Sequence, residues 1–154
     1  MDLKVSVLSR DAMEELLEKG VLENTAVISF FDPKSERTPK NYAPINYTGK
    51  CERVFGVAIH DLDISVLEDF GLTFDTYFPE VEALARFIKG AVKDGFRIIC
   101  QCEYGQSRSP ACAAAIKEYY EKSGIEIFAD YRYYPNQLVF NKILSALKKE
   151  ELQA

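Results

Sequence analysis

Residues 96–124, FRIICQCEYGQSRSPACAAAIKEYYEKSG, constrain the fold more than any other stretch of this chain. Phe96–Cys100 is a short, continuous apolar run, the pattern of a strand. A polar loop containing Gly105 follows, and from about Ser109 and Pro110 a run of small residues opens a helix that ends at Gly124. Proline suits the first helical position, because its missing N–H would have no partner there. A strand that passes through a tight loop into a helix is a building unit of an α/β sheet.

Other segments supply the neighbours of this unit. Residues 3–8, LKVSVL, alternate as a half-buried strand does. Asp11 with Glu14 three residues later resembles a capping box, which predicts a helix stopping before Gly20. TAVISFF, 25–31, is rich enough in β-branched and aromatic residues for a buried strand. The next stretch, 32–50, carries three prolines and reads as a long surface loop, of the kind that often serves function. CERVFGVAI, 51–59, is a third strand, followed by the polar loop HDLDISVLEDFG. Phe78, Val81, Ala85, Ile88 and Val92 recur at steps of three and four, which predicts a helix over about 76–94. Thr76 would cap it, with Pro79 in its first turn and Gly95 beyond its end. A last helix covers about 136–149. Strands separated by helices predict an α/β sheet, mainly parallel and flanked by helices.

Composition narrows the function classes. With 154 residues, 47% of them hydrophobic, the chain suits one domain over 1–154 whose core needs neither disulfide nor metal. No basic start precedes a long apolar core and no apolar run reaches membrane-spanning length, so a soluble cytoplasmic protein without membrane association is expected. Cys51, Cys100, Cys102 and Cys112 lack the spacing of a disulfide framework, and one histidine without a paired CxxC argues against zinc. A net charge of −5 disfavours a nucleic-acid partner. The oligomeric state has no signature here.

The chemistry concentrates in the loop. In a strand–loop–helix unit the loop N–H groups and the helix N-terminus converge on one point, a site for an anion such as phosphate. Gly105 lets the backbone turn and approach a ligand closely. Arg108 offers a planar fork of donors that holds two phosphate oxygens. Cys102 stands where the same field favours a thiolate, the nucleophilic form. Glu103, Tyr104, Gly105, Gln106, Ser107 and Arg108 would then cradle a phosphate while Cys102 attacks phosphorus, giving a cysteinyl-phosphate that water hydrolyses. The Ser109 hydroxyl is placed to ease departure of the sulfur, and the leaving oxygen needs a proton from a carboxylic acid. Asp61 and Asp63, after the third strand, are the candidates.

CEYGQSRS resembles the C-x5-R-S phosphate-binding loop of the cysteine-dependent protein phosphatases, especially the small dual-specificity and tyrosine type. The resemblance extends over about 51–147. GVAIHD is similar to the family's strand with its general-acid aspartate, which implies that role for Asp61. SRSPACAAA is similar to its buried central helix, and YYPNQLVFNKIL resembles its Pro-Asn segment before the last helix. The resemblance implies a phosphatase-type α/β fold, a phosphorylated protein or small phosphomonoester as substrate, and no cofactor or metal.

One position departs from the pattern. The family usually has histidine before the nucleophile, and this chain has Gln101, which can hydrogen-bond but carries no charge. A phosphate-binding protein with little turnover is therefore the second reading, and a rhodanese-like sulfurtransferase, which needs no general-acid aspartate, is the third. Glu103 and Gln106 leave the loop without lysine, which favours a substrate with one phosphate, such as phosphotyrosine, over a polyanion. Cys100 and Cys112 read as core, His60 as structural, and Ser107 as shaping the loop. The tyrosines of YRYYPN read as a half-buried aromatic surface or a pocket lining. NYAPINYTG, 41–49, offers a ring to stack on a phosphotyrosine.

Overall fold

Four short segments with strand-forming composition pair into one sheet. A computed structural model describes residues 3–153 and contains the strands β1 (Val5–Leu8), β2 (Thr25–Phe31), β3 (Arg53–Ala58) and β4 (Arg97–Gln101). Their order is β1-β4-β2-β3 and every neighbouring pair is parallel. The expected α/β class is therefore found, with a sheet that is wholly parallel among the described residues. Ligand sites in such sheets lie beyond the carboxyl ends of the strands. Gln101, Phe31 and Ala58 end the three strands that converge there.

Side-chain alternation along β2 and β4 divides the core. Ala26, Ile28, Phe30, Ile98 and Cys100 face a large cluster that also holds Leu84, Ile88, Ala111, Cys112, Ala113, Ala115 and Ile143. Val27 and Ile99 face a smaller one with Met13, Leu17, Tyr47 and Cys51. The first face is covered by α2 (Val81–Lys93), α3 (Arg108–Glu121) and α5 (Gln137–Gln153). The second is covered by α1 (Arg10–Glu18) together with part of the 32–50 loop. Small residues suit α3 because Ala111–Ala115 are at most 1% exposed, pressed between sheet and helix.

Several boundaries differ from the sequence-based expectation, each for a local reason. Ser9, rather than Asp11, caps α1 by accepting the Ala12 N–H at 3.1 Å, while Asp11 lies in the first turn, where a carboxylate complements the helix dipole. The helix expected from 76 begins at Val81. Thr76 instead bonds within a turn, its Oγ1 accepting the Thr73 N–H at 2.8 Å. Phe78 takes φ 66°, a left-handed angle uncommon for a bulky residue, which breaks the chain direction before α2. Its side chain is still buried, edge-on to Phe30 at 6.2 Å. At the other end the expectation holds: Gly95, φ 75°, and Phe96 donate to Val92 and Ala91 carbonyls in a Schellman motif.

α3 starts two residues before Pro110, which therefore occupies the third helical position, still within the turn that lacks intrahelical acceptors. It ends at Lys122 in the left-handed region, not at Gly124, which precedes the short helix α4 (Ile125–Phe128). The polar loop after β3 contains a 3₁₀ helix, Ile64–Phe70, that periodicity did not signal. No helix among the described residues is long and apolar enough to cross a membrane.

Candidate active site

Chain geometry at the end of β4 sets the site. Cys102 N–H donates to the Leu8 carbonyl at 3.3 Å, and the Glu103 carbonyl accepts from Arg10 N–H at 3.0 Å, so the loop is pinned to the β1–α1 junction. Gly105 lies against that junction with φ 67°, and a Cβ there would stand 2.8 Å from the Ser9 nitrogen. Both the angle and the space demand glycine. On the opposite flank the Gln106 and Ser107 carbonyls accept from Tyr134 and Asn136 N–H at 2.7 and 3.2 Å. The loop is thus held from both sides.

Cys102 is 3% exposed, with its sulfur 3.0 Å from Ser109 Oγ and 3.5 Å from the Ser109 nitrogen, which donates to it. Arg108 is equally enclosed. Its Nη1 donates to Asp32 Oδ1 at 2.8 Å and to the Ile59 carbonyl at 2.7 Å, so two strand ends orient the guanidinium fork. Burial of that charge is tolerable because Asp32 pairs with it.

The two carboxylates after β3 separate by what they touch. Asp61 Oδ1 accepts from Ser107 Oγ and from Asn136 Nδ2, each at 2.7 Å, which brings it to the Cys102–Ser109 loop. Asp63 caps the 3₁₀ helix, accepting from the Ser65 N–H at 3.0 Å and from the Ser65 hydroxyl. Those bonds hold the Asp63 carboxyl below its usual range, suited to an acceptor rather than a proton donor. Tyr77 steadies the intervening chain by donating to the His60 carbonyl at 2.6 Å, and burial raises its phenol well above the ordinary range.

Gln101, on the other side of the strand from Cys100, is 2% exposed. Its Oε1 accepts from Ser29 Oγ at 2.5 Å and from Tyr47 OH at 2.9 Å. Burial pushes the Tyr47 phenol to about 12, so it remains a donor throughout the ordinary pH range. Tyr47 consequently serves the support of the loop rather than a substrate ring. Tyr42 lies closer to the site: its hydroxyl accepts the Asp32 N–H at 3.2 Å and reaches Glu103 Oε2 at 3.4 Å. Of the YRYYPN tyrosines, Tyr131 and Tyr134 are 90% and 75% exposed, so only Tyr133 forms the half-buried surface expected of the group. Tyr104 also points outward at 77%, and the carboxylate of Glu103 turns to Arg10 Nη1 at 3.7 Å.

Cys100 and Cys112 are both buried in the core, where burial pushes the Cys112 thiol up beside its neighbour Cys100. His60 packs its ring 5.3 Å from Phe70. Among the described residues no three histidine, cysteine or carboxylate side chains gather in a way that would hold a metal ion. Asp32, Tyr42, Tyr47 and Asn136 are site residues to which sequence reasoning assigned no such part. Asp32 carried a local signal, a carboxylate placed where a buried strand stops before a proline, and Asn136 stood in the Pro-Asn segment.

No family model and no curated protein sequence matches the chain. Solved structures do. The human tyrosine phosphatase-like serine/threonine/tyrosine-interacting protein aligns with TM-score 0.56 and 16% identity, over 95% of this chain and 87% of that one. PTPMT1, solved in complex with PI(5)P, aligns with TM-score 0.57 and 13% identity, over 99% and 95%. The Cydia pomonella PTP-2 phosphatase aligns with TM-score 0.52 and 15% identity, over 94% and 86%. This chain has the fold of the cysteine-dependent tyrosine and dual-specificity phosphatases, the superfamily that its C-x5-R-S loop resembles.

Proposed function

We propose that the protein hydrolyses phosphate monoesters, with phosphotyrosine in proteins as its substrate class. One observation carries the reading: a buried cysteine sulfur lies at the mouth of a helix, 3.0 Å from Ser109 Oγ, in a loop that hydrogen bonds join to the Asp61 carboxylate. Cys102 Sγ attacks phosphorus in line as the ester oxygen departs, so the P–S bond forms while the P–O bond breaks. Asp61 gives its proton to the departing oxygen. Arg108 and the loop N–H groups from Glu103 to Arg108 stabilise the charge on the three equatorial oxygens. Water then attacks the cysteinyl-phosphate, Asp61 takes its proton, and the sulfur leaves as a thiolate that accepts a hydrogen bond from Ser109.

Gln101 favours a second reading, phosphate binding with little turnover. Its amide oxygen is engaged by two neutral hydroxyls, so it brings no positive charge to the sulfur. One of the proteins of this fold is named as tyrosine phosphatase-like and interacting, which suits the same reading. Hydrolysis of p-nitrophenyl phosphate with EDTA present decides between the two. Turnover that Cys102→Ser abolishes supports the enzyme; vanadate binding without turnover supports the receptor.

A further inference from the structure

One side chain joins three parts of the site. Asn136 immediately precedes α5, where its carbonyl accepts the Phe140 N–H at 3.0 Å and its Oδ1 the Val139 N–H at 2.9 Å, the bonds of a residue that caps a helix start. The second bond fixes which end of the amide is which, because a backbone N–H only donates and so must face the oxygen. Nδ2 then points away from α5 and donates to Asp61 Oδ1 at 2.7 Å and to the Leu62 carbonyl at 2.9 Å. The backbone N–H of Asn136 meanwhile holds the Ser107 carbonyl at 3.2 Å. A single residue thus ties the start of α5 to the Cys102–Ser109 loop and to two consecutive residues of the segment after β3. Capping alone does not call for asparagine, since serine and aspartate cap as well. Only an amide supplies an acceptor for Val139 together with two donors for the other segment.

Asp61 is otherwise exposed, and its other bond is the one from Ser107 Oγ at 2.7 Å, which also ends on Oδ1. Two donors on one carboxyl oxygen occupy both of its lone pairs, so a protonated Asp61 carries its hydrogen on Oδ2. We propose that Asn136 is a positioning residue for the proton transfer: by engaging Oδ1 and the Leu62 carbonyl with one amide, it holds the carboxyl so that Oδ2 gives its proton to the oxygen leaving from phosphorus. As the P–S bond to Cys102 forms and the P–O bond breaks, that proton neutralises the departing oxygen and Asp61 is left as the carboxylate, whose charge the same two donors stabilise. The inference rests on Asp61 as the acid of the proposed hydrolysis.

The test compares kcat/KM for phenyl phosphate and p-nitrophenyl phosphate, since this ratio reports the steps up to departure of the ester oxygen. Phenoxide, like the tyrosine side chain with its pKa of about 10, departs poorly without a proton, whereas p-nitrophenoxide is the weaker base and departs more readily unprotonated. Asn136→Ser keeps a capping hydroxyl and removes both donors of the amide. It is expected to lower kcat/KM for the phenyl ester about tenfold more than for the nitrophenyl ester, and to add no further loss in a protein already carrying Asp61→Asn. Asn136→Ala, which lacks the cap as well, is expected to melt lower than Asn136→Ser yet to show the same ratio between the esters. That ratio, taken within one sample, does not depend on the folded fraction, so a weakened variant still answers. Equal loss for both esters, a further loss beside Asp61→Asn, or a ratio that tracks melting temperature makes Asn136 a structural cap and overturns the positioning role, while Cys102-dependent turnover by the native protein leaves the hydrolase standing. Native protein that turns over neither ester overturns the two together.

Discussion

The loop from Cys102 to Ser109 and the segment from Ile59 to Asp63 meet at the 2.7 Å hydrogen bond between Ser107 Oγ and Asp61 Oδ1, yet they are held by different means. Cys102, Arg108 and Ser109 are at most 5% exposed, and their contiguous stretch is clamped by β1, the start of α1 and the segment before α5. Asp61 is exposed, and side chains from Ser107 and Asn136 position it. Cys102 thus belongs to the core, where burial fixes its surroundings. Asp61 stands in water on polar contacts, which suits the proton-donor role proposed for it, since such a group must exchange protons with solvent and let a leaving group pass.

Substitutions on either side break or sharpen that contrast. Cys102→Ser is expected to bring p-nitrophenyl phosphate turnover down to background, a loss of about 10⁴ or more, with an unchanged melting temperature. Turnover retained by this variant would remove the nucleophile from the core half altogether. Asp61→Asn is expected to lower kcat by about 10²–10³ and to erase the fall in rate towards alkaline pH, without changing stability. Should Asp63→Asn produce that profile instead, the exposed half has been assigned to the wrong carboxylate.

Smaller effects probe the supports. Gly105→Ala forces a Cβ against the Ser9 backbone at a left-handed angle, and a loss of about 1–3 kcal/mol in denaturant-measured stability is expected. A neutral result would mean that the loop half is less clamped than its contacts imply. Tyr47→Phe removes one of two donors to Gln101 Oε1 and leaves the Ser29 hydroxyl in place, so about 1 kcal/mol is expected. The same variant has a pH signature. In the native protein the Tyr47 phenol keeps its proton up to about 12, whereas in the unfolded chain it ionises near about 10. Native stability therefore falls as pH rises between those values, and Tyr47→Phe makes the fall shallower. Burial raises the Tyr120 phenol to about 12 as well, so part of the fall persists.

The sequence by itself determined the β4–loop–α3 unit and the grouping of Cys102, Arg108 and Ser109 within it. A continuous apolar run, a glycine where the chain must turn against another backbone, and small residues where a helix is enclosed are all local consequences of packing, so they appear in contiguous letters. The different surroundings of Asp61 and Asp63 needed the tertiary structure, since two loop aspartates two residues apart differ only in partners: Ser107 and Asn136 for one, Ser65 for the other. So did the support of Arg108 by Asp32 and of Gln101 by Ser29 and Tyr47, which join positions 76, 72 and 54 residues apart. Hydrogen bonds of that range leave no periodic trace in a chain, because they exist only once the sheet has set its strand ends side by side.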